Sequence, residues 1–288
     1  MTLNSYLDRW LETAAKPRVG PRTFEDYTYL LVTHVRPELG VRRLDTITPL
    51  QIQAVYSGML ERGLSARTVR VTHNVLSGAL KQAVAWRLLA QNSASSVDLP
   101  KSQRREMRAF SPEEAECFRK ACTNRPMGLL FAFMLATGMR PGEALALRWR
   151  DCDLKGGRVR VTQTLVRLKS GRWEFRAPKT SQSCRSISIP PSLTRELIEH
   201  RRQQAKRRLA KGPKWRDYDL VFSGRLGQPL DQHNLGARHF KPILKAAELS
   251  PEFRVYDLRH SHATLLMAAG ENAKVVAERL EEILYGSA

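Results

Sequence analysis

The 288-residue chain carries 48 lysines and arginines against 28 aspartates and glutamates, a formal net charge of +20, and its 42% hydrophobic residues exclude wholesale disorder and fibrous repeats. Its longest nearly apolar stretch, residues 127–139, is shorter than the roughly 20 residues that a membrane-spanning helix needs. The first helix-like segment is charged, unlike a signal peptide, and the four cysteines form no C-x-x-C pair. We therefore expect a cytoplasmic protein with no membrane partner, no zinc site and no disulfide framework.

The positive charge is concentrated in the middle of the chain. Residues 101–250 carry a net +18, whereas residues 1–100 carry +4 and residues 251–288 carry −2. Such a block attracts polyanions, and phosphate contacts add affinity by releasing counterions, so nucleic acid is the predicted partner. The alternative is a basic surface that serves solubility alone. Because aromatic residues make up only 7%, duplex binding is favoured over stacking on single strands.

The first hundred residues predict helices. An apolar stripe predicts one helix over residues 3–11, and a second apolar run, residues 27–35, ends before Pro37. Thr48 and Pro49 are typical of an N-cap and of the first position of a third helix.

A longer helix is predicted from Ser65 to about Trp86. Its predicted core face consists of Val69, Thr72, Leu76, Leu80 and Ala83. Its polar face consists of Arg67, Arg70, Asn74 and Lys81. That polar face is either a solvated surface or a face laid on a DNA backbone.

A segment with little apolar material, residues 91–108, predicts an exposed basic linker between a domain at 1–90 and a domain at 109–288. Its cations join those of the preceding helix in the predicted DNA-binding set. That set is Arg67, Arg70, Lys81, Lys101, Arg104 and Arg105.

The second domain is predicted to start with a helix capped by Ser111 and to continue as helices to about Trp149. Alternating residues then predict three strands, which we expect to form one three-stranded antiparallel sheet. The predicted strands are 158–166, 173–177 and 184–189, followed by a charged helix over 191–210. The fold class is therefore mainly α with a small antiparallel sheet, an α+β arrangement.

One candidate site is the turn that contains Arg140. Gly138 is typical of the end of an apolar helix, and Pro141 of the start of the next, so Arg140 lies beside a helix start that favours anions. Glu143, one turn later, is placed to orient this arginine. The alternative is a surface arginine paired with Glu143.

Two further spots carry candidate residues. Lys179 lies between the second and third predicted strands, where a lysine is either a solvated tip or a phosphate contact. Arg259 falls in the first turn of a helix for which Asp257 is the predicted N-cap. For His260 we favour a buried, hydrogen-bonded core histidine, and Leu258 and Leu265 are predicted to face the core.

Taken in order, these motifs resemble those of the tyrosine recombinase (phage integrase) family. The matching residues are T-G-x-R-x-x-E around Arg140, the hairpin Lys179 and D-L-R-H around Arg259. The N-terminal segment resembles that family's helical core-binding (SAM-like) domain, and the likeness runs from about residue 3 to about residue 280. It implies a catalytic domain at 109–288.

The resemblance implies site-specific strand transfer on double-stranded DNA through a 3′-phosphotyrosyl intermediate, as used in integration, without a metal or nucleotide cofactor. Arg140 and Arg259 would clamp the scissile phosphate, and Lys179 would protonate the leaving 5′-oxygen. A homo-oligomer on DNA, and nucleoid association when bound, also follow from it.

Two departures from the family pattern stand out. Tyr256 occupies the position, three before the second arginine, that is usually histidine; a phenol donates a hydrogen bond but does not shuttle protons near pH 7. After Leu280 the chain reads Glu-Glu where the family continues Gly-His. Tyr285 comes earlier than the expected nucleophile, so no nucleophile is located.

From these departures we expect an integrase that lacks its front module and its catalytic tail, through a frameshift or premature stop near codon 281, and that is impaired as written. The alternative is a noncatalytic duplex-DNA-binding remnant. A basic RNA-binding protein would require the motif match to be accidental. A type IB topoisomerase shares the chemistry, but the core-binding segment favours recombination.

Overall fold

The computed structural model describes residues 1–101, 107–177 and 184–280. The chain divides into two compact units, which we call the N-terminal unit and the C-terminal unit. The N-terminal unit comprises Met1–Arg105 together with Leu168–Gly171, and the C-terminal unit comprises Glu106–Arg167 and Arg172–Ala288. The linker over 91–108 and the domain limits drawn from the sequence stay predictions.

The described part of the N-terminal unit is helical. Its helices are α1 (Leu3–Trp10), α2 (Pro21–Leu30), α3 (Arg36–Leu39), α4 (Pro49–Glu61) and α5 (Ala66–Ala85). Thr48 begins α4 with a capping box that pairs it with Gln51, and Ser65 caps α5 by accepting from the Thr68 amide, as predicted. The second run ends at Val35, before Pro37, as predicted, and Pro37 lies in the first turn of α3, where its missing N–H has no partner to lose.

The core of the N-terminal unit is apolar. π-helical turns at Leu11–Ala15 and Leu31–Val35 extend the first two helices and contribute Leu11, Leu31 and Val35 to it. The predicted core face of α5 is confirmed, since all five of its residues are buried. Arg67, Arg70 and Lys81 on its other face are exposed.

The C-terminal unit is built around a larger core and carries the strands. Its helices are α6 (Pro112–Cys122), α7 (Gly128–Thr137), α8 (Pro141–Ala146), α9 (Pro191–Lys211), α10 (Gln232–Leu235), α11 (Lys241–Ala246), α12 (Asp257–Ala268) and α13 (Ala273–Leu280). Ser111 caps α6 with a capping box to Glu114, as predicted. Phenylalanines and aliphatic side chains from α6, α7, α11 and α12 fill the centre.

Within the described ranges, the strands form two antiparallel sheets rather than the single three-stranded sheet predicted. The strands are β1 (Cys152–Asp153), β2 (Arg158–Val161), β3 (Thr164–Arg167), β4 (Trp173–Arg176) and β5 (Arg185–Ser188). One sheet has the order β1-β2-β5, and β3 pairs with β4 in the other.

The sequence prediction merged β2 and β3 because both alternate. The chain leaves the first sheet between β2 and β3. There the Thr162 hydroxyl donates to the Asp151 carboxylate, and the side-chain amide of Gln163 donates to the carbonyl of Ala146. These bonds tie the side chains of the segment between β2 and β3 to Asp151 and Ala146. The mainly α fold with a small antiparallel sheet is confirmed.

No helix among the described residues is long and apolar enough to cross a membrane.

Candidate active site

The turn between α7 and α8 holds Arg140 as predicted. α7 ends at Thr137, and Gly138 follows with a φ of +65°, a left-handed conformation that costs glycine little. Arg140 is the N-cap of α8, with Pro141 as the first helical residue. The Glu143 carboxylate accepts from the Arg140 amide at 3.0 Å and from its Nη1 at 3.0 Å. The i, i+3 spacing therefore lets one carboxylate fix both ends of the arginine.

A second arginine shares this carboxylate. Arg185, the first residue of β5, donates from Nη2 to Glu143 Oε2 at 2.8 Å, and both side chains are only 7% exposed. Sequence reasoning missed Arg185, which lies 42 positions from Glu143. The alternation of β5 carries the signal, because Arg185 falls on the same strand face as the buried Ile187.

The electrostatics of the Arg140, Glu143 and Arg185 group favour its ionised state. Burial alone raises the pKa of Glu143, but hydrogen bonds and charge from Arg185 and then Arg140 outweigh it and hold that pKa below its ordinary value. Burial lowers the pKa of Arg140, and the opposing contributions of Glu143 and Tyr256 leave it raised. The group therefore stays charged at neutral pH.

Arg259 lies on α12 and is fully buried. Its Nη1 donates to the carbonyl of Gly138 at 2.8 Å, and its Nη2 donates to the carbonyl of Leu280 at the end of α13. Gly138 thus links the two predicted arginines, since it is two residues before Arg140 and accepts from Arg259. A side chain at position 138 would meet Leu280 and His262 at 2.5 Å and 2.6 Å.

Tyr256, in the position of the family histidine, is 42% exposed, and its side chain is near enough to Arg140 to help raise the pKa of that guanidinium. The structure therefore brings Tyr256, Arg140 and Glu143 together. The predicted N-cap role of Asp257 is wrong, because Tyr256 is the N-cap of α12 and Asp257 is its first helical residue. The buried Asp257 carboxylate instead accepts from the Arg254 amide at 2.8 Å.

The buried histidine of α12 is His262 rather than His260. His260 is half-buried and packs its ring against Tyr256 at 5.6 Å, because it lies at the edge of the helix face that Leu258 and Arg259 bury. His262 is 5% exposed, and its Nδ1 is 2.9 Å from the carbonyl of Leu135. The core interpretation of His260 is therefore wrong.

Several predicted residues lie outside the described part of the chain: Lys179, Arg104, Arg105 and Tyr285. Lys101 is exposed, and Arg70 donates to the carbonyl of Pro100 at 3.2 Å. Within the described ranges no group of histidine, cysteine, aspartate or glutamate side chains is arranged to hold a metal ion.

Known proteins match the chain along almost its whole length. Residues 99–281 match the phage integrase family, and residues 2–60 match the phage integrase N-terminal SAM-like domain. The chain therefore belongs to the phage integrase family, and its class is that of the tyrosine recombinases.

Two relatives illustrate the match. A tyrosine recombinase XerC-like protein of Caldanaerobacter subterraneus subsp. tengcongensis is 28% identical, with 97% of this chain and 76% of the relative covered. An integrase of Streptomyces ambofaciens is 30% identical, with 93% and 70% covered.

Solved structures share the fold. A Tn1549 transposon integrase in complex with transposon right end DNA has a TM-score of 0.80 at 18% identity, covering 100% of this chain and 96% of that one. A lambda integrase dimer bound to a COC' core site has a TM-score of 0.69 at 22% identity, with 97% and 94% covered.

Proposed function

We propose that this protein is a site-specific recombinase of mobile-element origin that breaks and rejoins DNA strands through a 3′-phosphotyrosyl intermediate. The observation that carries the proposal is the pairing of the half-exposed Arg140 with the buried Arg259 through Gly138. Two guanidinium groups fixed by one turn suit the negative charge that builds on the nonbridging oxygens of a phosphate under attack.

In the proposed first step, a tyrosine oxygen that has released its proton to solvent attacks the scissile phosphorus while the bond to the 5′-oxygen breaks. Lys179 gives a proton to that leaving 5′-oxygen. Tyr256 donates a hydrogen bond to a phosphate oxygen in place of the family histidine. A free 5′-hydroxyl of the partner strand then reverses the step, so the bond energy is kept and no metal or nucleotide is consumed.

The proposed partner is double-stranded DNA. The net +18 of residues 101–250 supports it, as do the exposed cations Arg67, Lys81 and Lys101 of the N-terminal unit. We propose that the protein assembles as a homo-oligomer on DNA, as in a structure of a lambda integrase tetramer bound to a Holliday junction.

A second candidate function is noncatalytic binding of duplex DNA. The observation that favours it is the hydrogen bond from Arg259 to the carbonyl of Leu280, which uses an N–H donor that the reaction would need for the phosphate. Both the recombinase and the noncatalytic protein are expected to bind DNA in a salt-sensitive way. Only the recombinase is expected to form a covalent bond to DNA.

The test is formation of a covalent protein–DNA adduct. A duplex selected from a randomised pool for binding is nicked beside each phosphate in turn, so that strand release traps any phosphotyrosyl intermediate. The recombinase predicts an adduct that resists denaturant. Binding that falls steeply with salt, without any adduct, would favour the noncatalytic protein.

Variants sharpen this test. We expect Arg140→Ala to abolish the adduct while most DNA binding remains, since many other cations contact the duplex. Arg195→Ala, which removes an exposed arginine of α9, is the matched control and leaves the adduct intact. Adduct formation at the wild-type rate in Arg140→Ala would show that the assigned role is wrong.

A further inference from the structure

The carboxylate of Glu143 is divided between two arginines. Its Oε1 accepts from Arg140 Nη1 at 3.0 Å and from Arg185 Nη1 at 3.5 Å. Its Oε2 accepts from Arg185 Nη2 at 2.8 Å and from the Arg140 backbone amide at 3.0 Å. Arg140 keeps 36% of its side chain exposed, whereas Glu143 and Arg185 are each 7% exposed. Only Arg140 of the three therefore presents its guanidinium to a ligand.

Charge explains why a second arginine matters. An arginine paired with one carboxylate is a neutral unit and attracts an anion weakly. Arg185 adds a second positive charge, so the Arg140, Glu143 and Arg185 group carries a net +1. Because two of its members are buried, salt ions screen this charge less than they screen charges on the surface.

Arg185 also fixes the carboxylate in space. It pairs with Val161 of β2 in the three-stranded sheet, so its backbone is held by a regular element. Its hydrogen bonds to Oε1 and Oε2, together with that of the Arg140 backbone amide to Oε2, fix the rotation of the carboxylate that accepts from Arg140 Nη1. A side chain that is held by a residue of a regular strand keeps a more precise position than one held by a loop.

We infer that Arg185 is a positioning residue for the phosphate site: acting through Glu143, it holds the Arg140 guanidinium in place and preserves its positive charge. This inference rests on the proposed function, because it gives Arg140 a phosphate to bind. Arg185 itself stays buried and makes no contact with the ligand.

The test measures phosphate binding at Arg140 in the full chain. Inorganic phosphate is titrated at constant ionic strength while the arginine Nε–Hε signals are followed by NMR, and Arg140→Lys identifies the signal of Arg140. We expect Arg185→Met to weaken phosphate binding by about tenfold, the value of one charge-assisted hydrogen bond. Arg185→Lys, which keeps the charge but not the planar fork, should lose less.

A double variant separates charge from simple packing. Glu143→Gln with Arg185→Met leaves Arg140 as the sole charge of the group, again a net +1. We expect it to recover most of the wild-type phosphate affinity even if stability does not recover. A purely structural Arg185 would lower stability without changing the affinity of the folded molecules.

Arg148→Met is the matched control. Arg148 donates to Asp151 at 2.6 Å, with 20% of its side chain exposed, in the same unit but in a separate ion pair. It should lose stability and keep wild-type phosphate binding.

The outcomes separate two failures. If the wild-type Arg140 signal does not respond to phosphate, the proposed phosphate site fails and the role of Arg185 falls with it. If the wild type responds and folded Arg185→Met binds equally well, only the inference about Arg185 is overturned. If Arg185→Met does not fold, weakened binding in Arg185→Lys with recovery in the double variant supports the inference, and the reverse result overturns it.

Discussion

The two units of the molecule bury different kinds of side chain. Among the described residues, the buried polar side chains of the N-terminal unit are the neutral Thr72 and His34. The described part of the C-terminal unit buries four charged residues: Glu143, Arg185, Asp257 and Arg259. Burying a charge costs free energy unless it is paired. The N-terminal unit is therefore stabilised mainly by apolar packing, whereas the C-terminal unit also holds charged side chains in its interior.

The largest expected effect comes from the apolar core. Leu76→Ala removes a side chain that is 1% exposed on α5, and we expect it to lower the free energy of unfolding of the N-terminal unit by about 4 kcal/mol. Hydrogen exchange resolved by peptide reports the two units separately. A loss that depended on pH or salt would contradict the apolar account of this unit.

The next largest loss of stability is expected when one of the buried charges of the C-terminal unit is removed. Arg185→Met leaves Glu143 with Arg140 alone, and we expect a loss of about 3 kcal/mol in the C-terminal unit. The matched change in the N-terminal unit is Arg36→Met, which removes an ion pair with the exposed Asp8 and should cost about 1 kcal/mol or less. Equal losses in hydrogen-exchange protection would remove the distinction between the units.

Acid provides a smaller, graded test. The pKa of Glu143 is below its ordinary value of 4.5, so its stabilising contribution is complete above pH 4.5 and is lost as the pH falls through the lower folded value. The stability difference between the wild type and Glu143→Gln should therefore shrink as the pH is lowered from neutral to about pH 3. Denaturant titrations measure it; a constant difference would show that Glu143 is not ionised in the folded protein.

The smallest expected effect is common to both units. Thr48→Ala and Ser111→Ala each remove a capping box, and we expect about 1 kcal/mol from each. Capping is local, so the two losses should match although the interiors differ. Exchange of the first-turn amides of α4 and α6 measures them, and a clear difference would show that one cap also serves tertiary packing.

The sequence predicts local features of this molecule better than distant ones. The caps at Thr48 and Ser111 and the pairing of Arg140 with Glu143 are fixed by spacings of a few residues, which the sequence displays directly. Arg185 was missed because its partner is 42 positions away and sheet pairing decides their approach. The single predicted sheet failed for the same reason, since alternation does not tell which strand pairs with which.

On α12 a core histidine was predicted correctly but at the wrong position, because the buried residue is His262 and not His260. Leu258, Arg259 and His262 share the buried face at helical spacing, and His260 falls beside it. Applying the helical period to Arg259 as a core residue would have indicated His262. His260 is next to Arg259 in the sequence, whereas His262 is next to it on the buried face of the helix.

The full burial of Arg259 has a consequence for the entropy of binding. A free arginine side chain carries about 2 kcal/mol of rotamer entropy. Arg259 gives up this freedom when the protein folds, because the carbonyls of Gly138 and Leu280 hold its guanidinium. Arg140 is restrained as well, by Glu143, although 36% of its side chain stays exposed. In the proposed phosphate site, both arginines would therefore have lost most of this freedom before the phosphate binds.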